Sequence, residues 1–155
     1  MDSQHPRSTA KFAGHPMHPA LVAFPIAFFE GTLVSDLIYW QSGDAFWARA
    51  SFYLLAAAIV TALAAALAGF TDFFGDRRIR ALSHAWQHML GNLAVVLIAL
   101  CNLYLRLGDE AATIVPTGLG LSAVTGLLLL FTGWRGGDLV FRHRVGVAET
   151  DPDAF

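Results

Sequence analysis

Residues 48–70 read ARASFYLLAAAIVTALAAALAGF. After Arg49 no charged residue occurs until Asp72. At 1.5 Å per residue a helix over this run is about 35 Å long, enough to cross the roughly 30 Å of a bilayer's hydrocarbon. Its nine Ala and Gly positions from Ala56 to Gly69 let a neighbouring helix approach closely. They also suit helix propensity alone.

Three further blocks of the same kind flank it. The first covers about 19–40, with Pro19 at a first helical position and Pro25 set to kink the helix by freeing the carbonyl of Leu21. Tyr39 and Trp40 stand where an interfacial aromatic belt is expected. Gln41-Ser42-Gly43-Asp44 makes a turn, and the third block runs from about 82 to 107. Gly108-Asp109-Glu110 turns again, and the fourth block, about 114–134, is stopped by Gly136-Gly137. The reading is an all-α, integral-membrane four-helix bundle with up-down topology. It comprises a His/Pro-rich arm (1–18), a transmembrane domain (19–147) and a disordered tail (148–155).

Composition agrees. Of 155 residues 55% are hydrophobic and only 14% charged, well below the quarter typical of soluble domains. The net charge of −2 excludes a nucleic-acid partner and leaves the lipid bilayer as the first one. The single cysteine, Cys101, excludes a disulfide framework and reads as a small packing residue. No cleavable signal peptide is expected, because the polar start precedes an apolar block longer than an h-region. No repeat of useful length is apparent. Basic residues flanking the blocks divide eight to two. Arg7, Lys11, Arg77, Arg78, Arg80, Arg135, Arg142 and Arg144 lie on one side, and Arg49 and Arg106 on the other. The positive-inside rule then places both termini and the middle loop on the cytoplasmic side.

All six histidines fall on that basic side. His15, His18, His84, His88 and His143 are the candidate metal ligands, with Asp72, Asn92 and Asp138 as supporting polar groups. His5 reads as a tail residue. In His15-Pro16-Met17-His18-Pro19 each His precedes a proline, so a polyproline II segment would turn both imidazoles the same way. His84, His88 and Asn92 follow helical spacing on one face. Two axial ligands would serve a b-type haem, His88 with either His18 or His143. Three or four His with an Asp would serve a bare transition metal. The small residues of the second block count partly against a haem. Two acids, Glu30 and Asp36, fall inside the first block, and Glu30 lies near mid-membrane, where it should face the bundle and bond Asn102 or Thr61.

The run Gly14-His15-Pro16-Met17-His18-Pro19, then Leu21-Val22-x-Phe24-Pro25-Ile26-Ala27, Asp36, Gly69-x-x-Asp72, His88-Met89-Leu90-x-Asn92 and Trp134-x-Gly136-Gly137-x-Leu139-Val140-Phe141-Arg142-His143 resembles domain-of-unknown-function family 2231, bacterial predicted membrane proteins. Phe141 and Arg144 depart from the Tyr and Gly common there. The resemblance implies a redox setting, since related chains are joined to Rieske or cytochrome c modules, and it points to His15, His18, Asp36, Asp72, His88, Asn92 and His143. Three functions follow: a haem- or metal-bearing electron-transfer module working with other membrane redox proteins, a non-catalytic accessory subunit or oligomer within a larger complex, or a proton or ion pathway through Glu30 and Asp36. None requires the chain to be an enzyme by itself.

Overall fold

The structure, a computed structural model, describes residues 5–147; the tail expected at 148–155 lies outside them. The four apolar blocks are four long helical spans, Met17–Ser42, Ala45–Gly75, Ser83–Leu105 and Ile114–Phe141. The first is divided into α1 (Met17–Leu21) and α2 (Ala23–Ser42) at Val22, one residue past the carbonyl that Pro25 leaves without a donor. Gly43, at φ 66°, ends α2, its N–H donating to Tyr39 O, and Asp44 caps α3 (Ala45–Gly75) by accepting from Phe46 N–H. A short α4 (Arg77–Arg80) links to α5 (Ser83–Leu105). A wide helical turn at Ile114–Gly118, interrupted at Val115, leads into α6 (Leu119–Phe141).

α2 packs on α3, α3 on α5, α5 on α6, and α6 back on α2. The spans therefore go round a square, with α2 and α5 on a diagonal. Their surface is inside-out by soluble standards. Val60, Leu67, Leu127 and Leu130 point outward, while Thr32, Ser35, Asp36, Ser51, Asn102, Arg106, Ser122 and Thr125 are buried. In water this distribution would be unfavourable; in lipid the apolar exterior costs nothing and internal polar groups satisfy one another. Cys101 belongs to the exterior, facing out rather than packing inside.

The arm departs from expectation. Lys11–Phe12 pairs antiparallel with His15–Pro16 around a tight turn at Ala13 and Gly14, both with positive φ, and Met17 already starts α1. His15 thus sits exposed on a strand and His18 half-buried on a helix, so they do not share a polyproline face. Asp72 holds the arm down. Its Oδ1 accepts from Thr9 N–H (2.6 Å), Ala10 N–H (2.7 Å) and Ser8 Oγ–H (3.0 Å). Gly75 leaves room for the Thr9 side chain, whose Oγ1 a Cβ there would meet.

Arg106 is the main correction. The charge count set it beside the membrane on the far side, at the end of the third block, yet it is fully buried, turned back into the bundle against Asp36.

Candidate functional site

Two polar centres lie on the α2–α5 diagonal, one near each membrane face. At the face away from the arm, Arg106 grips Asp36 with both ends of its guanidinium, Nη1 to Oδ1 at 2.8 Å and Nη2 to Oδ2 at 2.7 Å. Nε donates to Asn102 Oδ1 (2.9 Å), and Ser122 Oγ donates to Asp36 Oδ2 (2.7 Å). Ser51 Oγ donates to Asp36 Oδ1 and accepts from Arg106 Nη1. Residues of all four spans meet here. The bidentate geometry and saturated hydrogen bonding are what a charge pair needs away from water. Asp36 is therefore committed to Arg106 and is no free intramembrane acid. Glu30 is half-buried, its carboxyl against Gly126 of α6 rather than Asn102 or Thr61, and makes no hydrogen bond or ion pair among the described residues.

At the arm face the histidines separate into pairs. His18 on α1 and His88 on α5 have ring centroids 5.9 Å apart and planes at 88°. His18 Nδ1 lies 2.8 Å from Ala65 O, and His88 Nδ1 lies 2.8 Å from Thr132 O. A carbonyl can only accept, so each Nδ1 carries a proton, and Nε2 is the nitrogen left to offer a lone pair in the neutral tautomer. Neither Nε2 has a hydrogen bond among the described residues. Glycines let the rings lie against the carbonyl-bearing helices: a Cβ on Gly69 would stand 2.9 Å from His18 Nδ1, and one on Gly136 would stand 2.9 Å from His88 Cε1. Asn92 steadies the site, donating to His88 O (2.7 Å) and accepting from Thr132 Oγ1 (3.4 Å).

Both rings line a cleft of about 450 Å³ between the hairpins, walled by apolar side chains such as Val22, Phe29, Met89 and Leu129. Ala62, Ala66 and Gly133 also line it. The small residues thus open space between hairpins as well as closing contacts within them.

The other histidines are elsewhere. His84 Nδ1 is 3.1 Å from His143 Nε2, and His84 Nε2 is 4.0 Å from Asp138 Oδ2. Asp138 is held by Arg142 at 3.0 Å and Arg135 at 3.6 Å. Its Oδ2 is buried without a hydrogen bond. Among the described residues no three His, Cys, Asp or Glu side chains are grouped to hold a metal ion. The five candidate histidines are therefore not gathered in one place: backbone carbonyls take His18 and His88, His143 takes His84, Asp72 is spent on the arm, and His15 is exposed.

Four apolar spans around a buried polar spine define an integral membrane protein of the four-helix-bundle class. The chain belongs to the family described as "Predicted membrane protein (DUF2231)", whose model matches residues 14–149. Neither a curated protein nor a solved structure matches it.

Proposed function

We propose that this protein is a small haem-bearing electron-transfer module of the bacterial inner membrane, with His18 and His88 as the residues that would hold a b-type haem. The observation that carries this reading is the pairing of two imidazoles whose Nδ1–H groups are both anchored on backbone carbonyls and whose Nε2 atoms are left without partners beside an apolar cleft. That is the arrangement in which ligand histidines are held, the second nitrogen fixing tautomer and ring orientation. Ring centroids 5.9 Å apart keep the two imidazoles near enough that both would hold one bound group. The apolar walls suit a flat, largely apolar macrocycle.

When bound, haem would supply one-electron chemistry, with its potential tuned by axial ligands and surroundings. The chain's own residues orient the two rings through their Nδ1–H groups and line the cleft with apolar side chains. The proton-pathway reading has less support, since Asp36 is ion-paired and buried Phe29, Leu55, Ala58, Ile59, Val95 and Ala99 form an apolar core in mid-bundle.

The test is a visible spectrum of protein purified from cells supplied with haem precursor. A Soret band with the sharp reduced α band of a six-coordinate haem is expected. His18→Ala and His88→Ala should each lose that spectrum, and His84→Ala and His143→Ala should keep it. Wild type without tetrapyrrole, or His18→Ala with an unchanged spectrum, would sink the reading.

A further inference from the structure

The two polar centres share a numbering regularity. His18 and His88 are 70 positions apart, and so are Asp36 and Arg106. The carbonyls that hold the imidazoles, on Ala65 and Thr132, are 67 apart, and the glycines beneath the rings, Gly69 and Gly136, are also 67 apart. So are Ser51 and Gly118, which flank the ion pair. Exchanging α2 with α5 and α3 with α6 maps every side of the helix square onto another: α2·α3 onto α5·α6, and α2·α6 onto α3·α5. Both hairpins start and finish at the arm face, so the exchange is a rotation about the membrane normal.

We propose that the two hairpins are copies of one structural unit related by a twofold axis along the membrane normal, and that Asp36 and Arg106 are positioning residues on that axis for the His18–His88 pair. Asp36 follows His18, and Arg106 follows His88, by the same 18 residues, about 27 Å along a helix. Contact at one point on an axis leaves the hairpins free to scissor, whereas contact at two points fixes their rotation and sliding. A perfect repeat would oppose like charges, which in a buried site repel strongly. Asp opposite Arg turns the same position into an attraction. The flanking residues adapt to the difference. Gly118 makes room on the arginine side, where a Cβ would come within 2.9 Å of Nη2, and Ser51 bonds the carboxylate on the aspartate side.

The test exchanges the halves of the spine in the full detergent-solubilised chain. D36R and R106D alone should each leave little folded monomer, and D36R/R106D should recover on the order of tenfold or more of it, because a single exchange leaves two like charges buried together and the double exchange restores an opposite pair. S51G/G118S should lower the melting temperature of the wild-type chain and raise that of the D36R/R106D chain. That reversal of sign is expected only if positions 51 and 118 are equivalent about the axis. The same sign in both chains, or no recovery in D36R/R106D, overturns the proposal. Positioning is read by NMR of the imidazole nitrogens, which needs no ligand. D36N/R106Q should shift the His18 and His88 signals and leave His15 unmoved; unmoved His18 and His88 would refute it. These arms decide the inference even if wild type carries no tetrapyrrole, an outcome that would defeat only the haem reading on which the identity of the bound group rests.

Discussion

Asp36 and Arg106 show how much a single side chain's direction decides. An acid in an apolar run demands a partner, and the sequence signalled the acid but not who answered it. Arg106 stands next to Leu107 and Gly108 at the end of the third block, where an arginine at the membrane face is the natural reading; the spacing from Asn102 to Arg106, one helical turn, was the available clue that its guanidinium turns inward. Truncation should be severe. Arg106→Ala would leave a carboxylate buried without its cation and should destabilise the protein by about 3–5 kcal/mol, seen as a large drop in melting temperature in detergent. A drop no larger than that of an exposed control such as Arg49→Ala would contradict this. The imidazole site offers a finer probe. Gly69→Ala and Gly136→Ala should each push a ring off its carbonyl, costing a hydrogen bond of about 1 kcal/mol and weakening any bound chromophore, with the two variants similar in effect.

The helices were legible because lipid demands long apolar runs whatever their internal partners. The arm was not, because two competing local tendencies exist there. Proline favours extended backbone before it, whereas Ala13-Gly14 allows a turn with positive φ that folds Lys11–Phe12 onto His15–Pro16. What fixes the outcome is distant: Asp72 and Asp76 on the last turn of α3 and just beyond it capture the arm's backbone N–H groups. Asp72→Ala should therefore expose Arg7 and Lys11 to trypsin, with cleavage there accelerated several-fold over wild type in a timed digest while the spans stay intact. An arm equally resistant in the variant would show that other contacts suffice. Asp76 sets the acid limit. Hydrogen bonds from Arg78, chiefly its side chain, hold the carboxyl down to about 2, below its ordinary 3.8. Because the folded value is the lower one, the stabilising link to Arg78 and Arg7 N–H is complete above about pH 5 and is lost as pH falls through 3.8 toward 2. Relative to the intrinsic rate at each pH, the amide of Arg7 should be protected at neutral pH and lose that protection only in that acid window, and Asp76→Ala should leave it unprotected throughout.

The bundle as a whole was legible in its span number but not in every boundary, since α3 runs on to Gly75 and α6 passes through Gly136-Gly137, where a stop was expected, to Phe141, and the site was legible only in part. His18, His88, Asn92 and Asp72 were singled out by residue type and spacing. Their division into a pair, its support and an arm anchor depends on which helices share a diagonal, and one-dimensional periodicity carries no such information. Orientation rests on the basic residues at the arm face. A reporter active only outside the cytoplasm should give signal when fused after Asp44 and none after Asp76. The opposite result would place the arm and the imidazoles outside.

One contact at that face reaches further than its size suggests. Gly146 N–H donates to Pro6 O at 3.0 Å, so the two ends of the described chain touch beside the α3–α5 link. The polypeptide path is in effect a closed ring cut at one place, and each half-ring re-emerges on the side from which it entered. Biosynthetic order then carries no architectural information: a ribosome could deliver α5 and α6 before α1 to α3, with Val147 joined to His5 by a few residues and new ends opened near Arg77, and the membrane would receive the same four crossings in the same directions.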